Sequence, residues 1–170
     1  MKRNRLSLLV AALLGSATLS AQTITNNEDG KYTLKVGEVS MTVDASKGAK
    51  ILSYKYGDKE VLSQTRMPNS FGSTFWTSPQ SEWNWPPVPE YDTKPYQAEV
   101  NGNKLILTGE KSKRFGYSVR KEFTTDAKDN AIVITYTIVN QSGETRKVAP
   151  WEISRVPNGG ILFFDAKEVT

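Results

Sequence analysis

Residues 131–139 read AIVITYTIV, nine positions without a charge, a proline or a glycine. Ile132, Ile134, Tyr136 and Ile138 fall on one side of an extended chain and Val133, Thr135, Thr137 and Val139 on the other. β-Branched and aromatic side chains at this density specify a strand. With apolar character on both sides, the stretch reads as a central strand covered on both faces. Working outward, YTLKV (32–36), EVSMTV (38–43), KILSYKY (50–56), KLILTG (104–109), YSVRKEF (117–123) and ILFF (161–164) alternate or run apolar in the same way. Turn-forming residues separate them: Lys47-Gly48, Gly57-Asp58, Asn101-Gly102, Asp129-Asn130, Ser142-Gly143 and Asn158-Gly159-Gly160. No segment after residue 21 carries a helical stripe of more than two turns, so the expected fold is all-β, a sandwich of antiparallel sheets.

The chain opens MKRNRLSLLVAALLGSATLSAQ, with Lys2, Arg3 and Arg5 ahead of an apolar run from Leu6 to Leu14 and small residues leading to Ala21. Residues 1–21 therefore read as a secretory signal peptide and 22–170 as one β-sandwich domain or a piece of one. The apolar run is far short of the roughly 20 residues of a spanning helix, so no membrane insertion is expected and the protein is assigned to the periplasm or the medium. Of the 22 Lys and Arg side chains, three leave with the signal, and the remaining 19 face 18 acidic ones. That balance lacks the basic surface of a nucleic-acid binder. Its one basic cluster, KSKR at 111–114, reads as a solvated turn. The sequence contains no Cys and no His, which excludes disulfides, thiol chemistry, a Ser-His-Asp triad and histidine metal sites. No cofactor and no metal are expected.

Between the two strand-rich blocks, residues 63–95 read as one long irregular connection. Its centre, FWTSPQSEWNWPPVPEYD (75–92), holds Trp76, Trp83 and Trp85 out of four tryptophans and Pro79, Pro86, Pro87 and Pro89 out of eight prolines. Prolines fix φ and lower the loop's entropy, which suits a shaped surface, and loops of this length in compact domains tend to be functional. Flat rings beside amides and carboxylates are what a saccharide requires: the C–H face of a sugar packs on the ring while polar groups take the hydroxyls. Two readings stay open. Either the rings form a carbohydrate surface, or they plug the end of the sandwich. A glycosidase pair from Glu82 with Glu90 or Asp92 is compatible with the composition alone. A second segment, APWEISRVPNGG (149–160), repeats the chemistry with Trp151, Glu152 and Arg155, the last two also readable as a surface ion pair. The candidate saccharide contacts are Arg66, Trp76, Gln80, Trp83, Trp85, Trp151 and Glu152; no catalytic residue is assigned.

The strings SMTVDASKGAKILSYKYGDKEVL (40–62), SFGSTFWTSPQSEWNWPP (70–87) and ITYTIVNQSGETRKVAPWEISRVPNGG (134–160) resemble an uncharacterised family of exported bacterial proteins within the galactose mutarotase-like (aldose 1-epimerase-like) superfamily. The resemblance implies the N-terminal part of a β-supersandwich with a carbohydrate-binding cleft on its concave face. In the epimerases it also implies an acid/base pair that opens and recloses the sugar ring. Histidines of the epimerases are replaced here by FGSTFW and APWEI, and the superfamily domain is nearly twice as long, its catalytic Glu lying in the C-terminal part. The expectation is an exported carbohydrate-binding protein without catalysis in this chain, the alternative being a fragment of a sugar epimerase or a related carbohydrate-active enzyme.

Overall fold

A computed structural model describes residues 21–65 and 71–161. Eleven strands account for half of them: β1 Gln22–Asn26, β2 Lys31–Val36, β3 Val39–Asp44, β4 Lys50–Tyr56, β5 Lys59–Glu60, β6 Ser73–Ser78, β7 Gln97–Asn101, β8 Lys104–Thr108, β9 Tyr117–Asp126, β10 Ala131–Asn140 and β11 Ala149–Ser154. One short helix, α1, spans Pro89–Asp92. The strands form two sheets, all pairs antiparallel. One runs β1-β2-β3-β4-β6-β11 with β5 hung on β4; the other runs β10-β9-β8-β7. The chain is thus the expected all-β antiparallel sandwich.

The sheets close over a core whose members follow from period two. On β9 the inward set is Tyr117, Val119, Lys121, Phe123 and Thr125. It joins Leu105 and Leu107 of β8 against Leu34, Met41, Val43, Ile51 and Phe75 of the larger sheet. Phe75 stacks on Tyr136 of β10 with centroids 4.6 Å apart and planes at 20°, so the inner face of β6 touches the smaller sheet at its edge.

Several expectations need correction. The long connection contains a strand, β6, buried on both faces, Phe75 inward and Trp76 outward; with no polar side there is no alternation for a sequence to show. APWEIS is likewise a strand, β11, at the edge of the larger sheet. Among the described residues AIVITYTIV is not a central strand; there β10 pairs only with β9, its inner side chains half-buried and its outer ones exposed. The expected signal peptide and the ILFF strand beyond Ile161 lie outside the described residues. Among the described residues no helix is long and apolar enough to cross a membrane.

A lysine occupies an inward core position on β9. Lys121 is fully buried; its ammonium donates to the carbonyl oxygens of Gly48 at 2.7 Å and Ala49 at 3.2 Å. The rings of Tyr96, Phe75 and Tyr136 surround it at 5.2, 5.8 and 6.0 Å, an arrangement that favours a cation. Desolvation outweighs this, as does the neighbouring Lys50 in a smaller way, and lowers the Lys121 pKa from the ordinary 10.5 to about 7 although Asp92 pulls it upward. Between pH 7 and about 10 the unfolded chain therefore binds the extra proton, and stability rises with pH by up to about 1.4 kcal/mol per unit. Above pH 10 the trend reverses, because burial raises the pKa values of Tyr91, Tyr96 and Tyr136 and the unfolded chain releases their protons first. Urea midpoints at pH 7, 8 and 9 should increase for the parent and stay level for Lys121→Met; a parent curve flat across that window would contradict the assignment.

Candidate functional site

Strands β6 and β11 build the floor. Their register sets Trp76 opposite Trp151, and Phe75 opposite Glu152. Directly opposed residues share a face, so the two tryptophans lie together on the outer face, ring centroids 5.6 Å apart at 87°. After β6 the chain turns through a 3-10 segment, Gln80–Glu82, which folds Trp83 back over the strand. Its indole N–H donates to the Thr77 carbonyl at 2.9 Å, and its ring lies 5.9 Å from Trp76 and 6.3 Å from Trp151. Asn84 follows at φ +57 and Trp85 precedes a cis Pro86. The Trp85 ring stands edge-on to Trp76 at 5.9 Å and 83°. All four tryptophans therefore converge, but their environments differ: Trp76 and Trp83 are 5% and 4% exposed, Trp151 is intermediate, and Trp85 is 61% exposed.

The polar framework beneath the rings is buried. Trp76 donates its indole N–H to Asp92 Oδ1 at 2.9 Å. The same oxygen lies 3.4 Å from Lys50 Nζ, both side chains almost fully enclosed, and the ammonium makes no hydrogen bond of good geometry. Arg155 lies 6.0 Å over the Trp76 ring and donates to the Gly72 carbonyl at 3.2 Å and Thr74 Oγ1 at 3.4 Å. Partial burial lowers its pKa against the pull of Asp92 and Glu152.

Beside the exposed ring runs a groove of about 400 Å³. Trp83, Trp85 and the prolines 86, 87 and 89 form one wall, Ser112, Lys113, Arg114 and Phe115 the other, and Glu90 lies along it. Arg114 ties the walls together by donating to the Glu82 carbonyl at 2.9 Å and stacks 4.8 Å over Phe115. The KSKR cluster is thus one bank of the groove. Sequence reading missed Lys113, Arg114 and Phe115; the available signal was a basic run followed by an aromatic residue, with nothing to say which loop it faced.

The candidate residues separate as follows. Trp76, Trp83, Trp85 and Trp151 come together, and Gln80 is exposed on the turn that leads to them. Glu152 does not join them. It points to the opposite face of β11, takes hydrogen bonds from the hydroxyls of Ser73 and Ser154, and lines a different cavity, of about 500 Å³, between the sheets. Glu152 and Arg155, on opposite faces, form no ion pair. Arg66 lies outside the described residues. Of the three acids considered as a pair, Asp92 is committed to Trp76 and Lys50, and Glu90 accepts from Lys94 Nζ at 3.1 Å. Among the described residues no group of three or more His, Cys, Asp or Glu is placed to hold a metal.

No family model matches the chain and no curated protein matches it. Among solved structures it is similar to a 4-alpha-glucanotransferase from Thermococcus litoralis, with a TM-score of 0.45 and 14% identity, over 70% of this chain and 24% of that protein. The chain spans about a quarter of that enzyme's length, and the likeness carries no argument about activity here.

Asp92 gives the site's testable element. Asp92→Ala should lower stability by about 3–5 kcal/mol, because it strands the Lys50 ammonium in a buried position. Pairing it with Lys50→Met should recover much of that loss in chemical denaturation, since the buried charge is then gone too. Equal instability of the single and double variants would show that the ion pair is not what holds α1 on β6.

Proposed function

We propose that the protein is an exported carbohydrate-binding protein whose platform is Trp85 and the groove beside it. The observation that carries this reading is the exposure of the Trp85 ring within an otherwise packed tryptophan cluster. Hydrophobic packing alone would bury it, and single exposed large rings fixed by a rigid support suit stacking on a sugar face. Glu90, Lys113 and Arg114 line the groove and can take hydroxyls, and Gln80 is exposed on the turn that precedes it. The resemblance of residues 70–87 to exported proteins of the galactose mutarotase-like superfamily supports the same ligand class. On that reading the sandwich is the N-terminal part of a supersandwich. The surface and plug readings then divide the rings between them: Trp76 and Trp83 hold the loop, and Trp85 meets the ligand.

Titration of the purified protein with a panel of neutral mono- and oligosaccharides, followed by tryptophan fluorescence and calorimetry, tests this. At least one saccharide should bind. Trp85→Ala should weaken it about tenfold or more, the equivalent of roughly 1.4 kcal/mol, with the melting temperature nearly unchanged. Trp83→Ala should instead cost about 3–5 kcal/mol of stability. No saccharide response in the parent, or a Trp85→Ala variant as unstable as Trp83→Ala, would leave the cluster as a plug only. Export has its own check: protein recovered from the periplasm or medium should begin at Gln22, and an intact Met1 would contradict it.

A further inference from the structure

The basic run KSKR at 111–114 gives the groove a charge as well as a wall. Its turn is fixed by the backbone: Ser112 N–H donates to the Tyr117 carbonyl at 2.7 Å and Gly116 N–H to the Ser112 carbonyl at 2.8 Å. Gly116 sits at φ +72, where a Cβ would lie 2.7 Å from Ser142, so the turn is also packed against the connection that follows β10. Lys113 and Arg114 are exposed on it, and both line the groove across from Trp85.

The charges in the groove do not balance. Arg114 donates to the Glu82 carbonyl at 2.9 Å, a neutral acceptor that fixes the guanidinium without supplying an anion. The Glu82 carboxylate does not line the groove and acts instead on the buried Tyr91 and Tyr117. Among the described residues Lys113 has neither a hydrogen bond nor an ion pair. Glu90 is the one carboxylate in the lining, and it accepts from Lys94 Nζ at 3.1 Å; Lys94 also pairs with Glu110, outside the groove. Two cations thus face the groove against one carboxylate that already has a cation.

Lys and Arg side chains only donate hydrogen bonds, whereas a sugar hydroxyl both donates and accepts. A neutral sugar would leave that mismatch standing. An anionic substituent only accepts, and hydrogen bonds between charged partners are roughly twice as strong as neutral ones. The described segments around β6 end at its other end: Ser63 N–H donates to the Arg155 carbonyl at 2.7 Å and Arg155 N–H to the Gly72 carbonyl at 3.4 Å, beside Ser73, and Ile161 lies with Val61. The groove is built where the chain leaves β6, beyond Ser78.

We infer that the saccharide this groove takes is an acidic one, its ring stacked on Trp85 and its anionic group, a uronate carboxylate or a sulfate ester, held by Lys113 and Arg114 from the opposite wall. The inference rests on the saccharide reading above and adds the ligand's charge to it.

Matched pairs test it. Galactose, glucose, mannose and their short oligomers are titrated into the full-length protein beside the corresponding uronates and the sulfate esters of the primary hydroxyl, with calorimetry as the readout. At least one uronate or sulfate ester should bind about tenfold more tightly than its neutral counterpart, the equivalent of roughly 1.4 kcal/mol, and the arm that gains identifies the anion. That preference should shrink as ionic strength rises from about 0.01 to about 1 M, because the screening length falls from about 30 to about 3 Å. Lys113→Gln should remove most of the preference with the melting temperature unchanged, Lys113→Arg should retain it, and Lys113→Glu should reverse it. A neutral sugar bound as tightly as its acidic counterpart, or a preference indifferent to Lys113→Glu, would overturn the acidic ligand while leaving the Trp85 platform in place. No response to any member of either set would overturn both.

Discussion

The turn between β3 and β4 is where the sandwich, the tryptophan loop and the buried charges are joined. Gly48 sits there at φ +68, so close beneath α1 that a Cβ would lie 2.0 Å from the Asp92 carbonyl oxygen. Its N–H donates to the Lys94 carbonyl at 2.8 Å, and Tyr96 N–H donates to the Ala45 carbonyl at 2.7 Å. Its own carbonyl takes the Lys121 ammonium from the other sheet. Two residues on, Lys50 meets Asp92, which in turn holds Trp76. Only glycine allows both the close approach and the left-handed backbone. One turn thus fixes the distance between sheets, the seat of α1 and the orientation of the central tryptophan.

That junction costs free energy. Two ammonium groups and one carboxylate are withdrawn from water, and a buried pair with imperfect geometry recovers only part of the desolvation. Apolar residues at the same positions could give an equally stable core. What the charges add is direction: Lys121 selects the carbonyls of one turn and Asp92 selects one indole N–H, where apolar packing would tolerate sliding. Orientation of Trp76 matters because the exposed Trp85 ring stands edge-on against it.

The strands with one wet face were legible. β2, β3, β4, β8 and β9 were readable to within a few residues because alternation survives where one face stays wet, and the turn residues between them carried the connections. β6 and β11 were hidden for opposite reasons. Burial on both faces removes alternation from STFWTS, and a proline and a carboxylate at an edge make APWEIS resemble a loop. Among the described residues β10 has one strand neighbour, which its sequence does not reveal, because its composition is that of an interior strand. Lys121 could have been found: Tyr117, Val119 and Phe123 put it on the inward face, and a charge at that phase of a strand is a buried one.

Chain adjacency also misled the grouping of candidate residues. Trp151 and Glu152 are neighbours in sequence and suggest one constellation, yet in a strand consecutive side chains point apart, and they belong to two different surfaces. The four tryptophans divide along a similar line. Stacking a ligand on a mobile ring incurs the entropy of fixing that ring. If Trp85 is the platform, as proposed, that cost is met in the folding of the chain, because Trp76, Trp83 and Asp92 hold the loop. On the proposed saccharide reading, the packing of Trp76, Trp83 and Trp151 against one another and the exposure of Trp85 are one design, the packed rings supplying the support on which the fourth is presented.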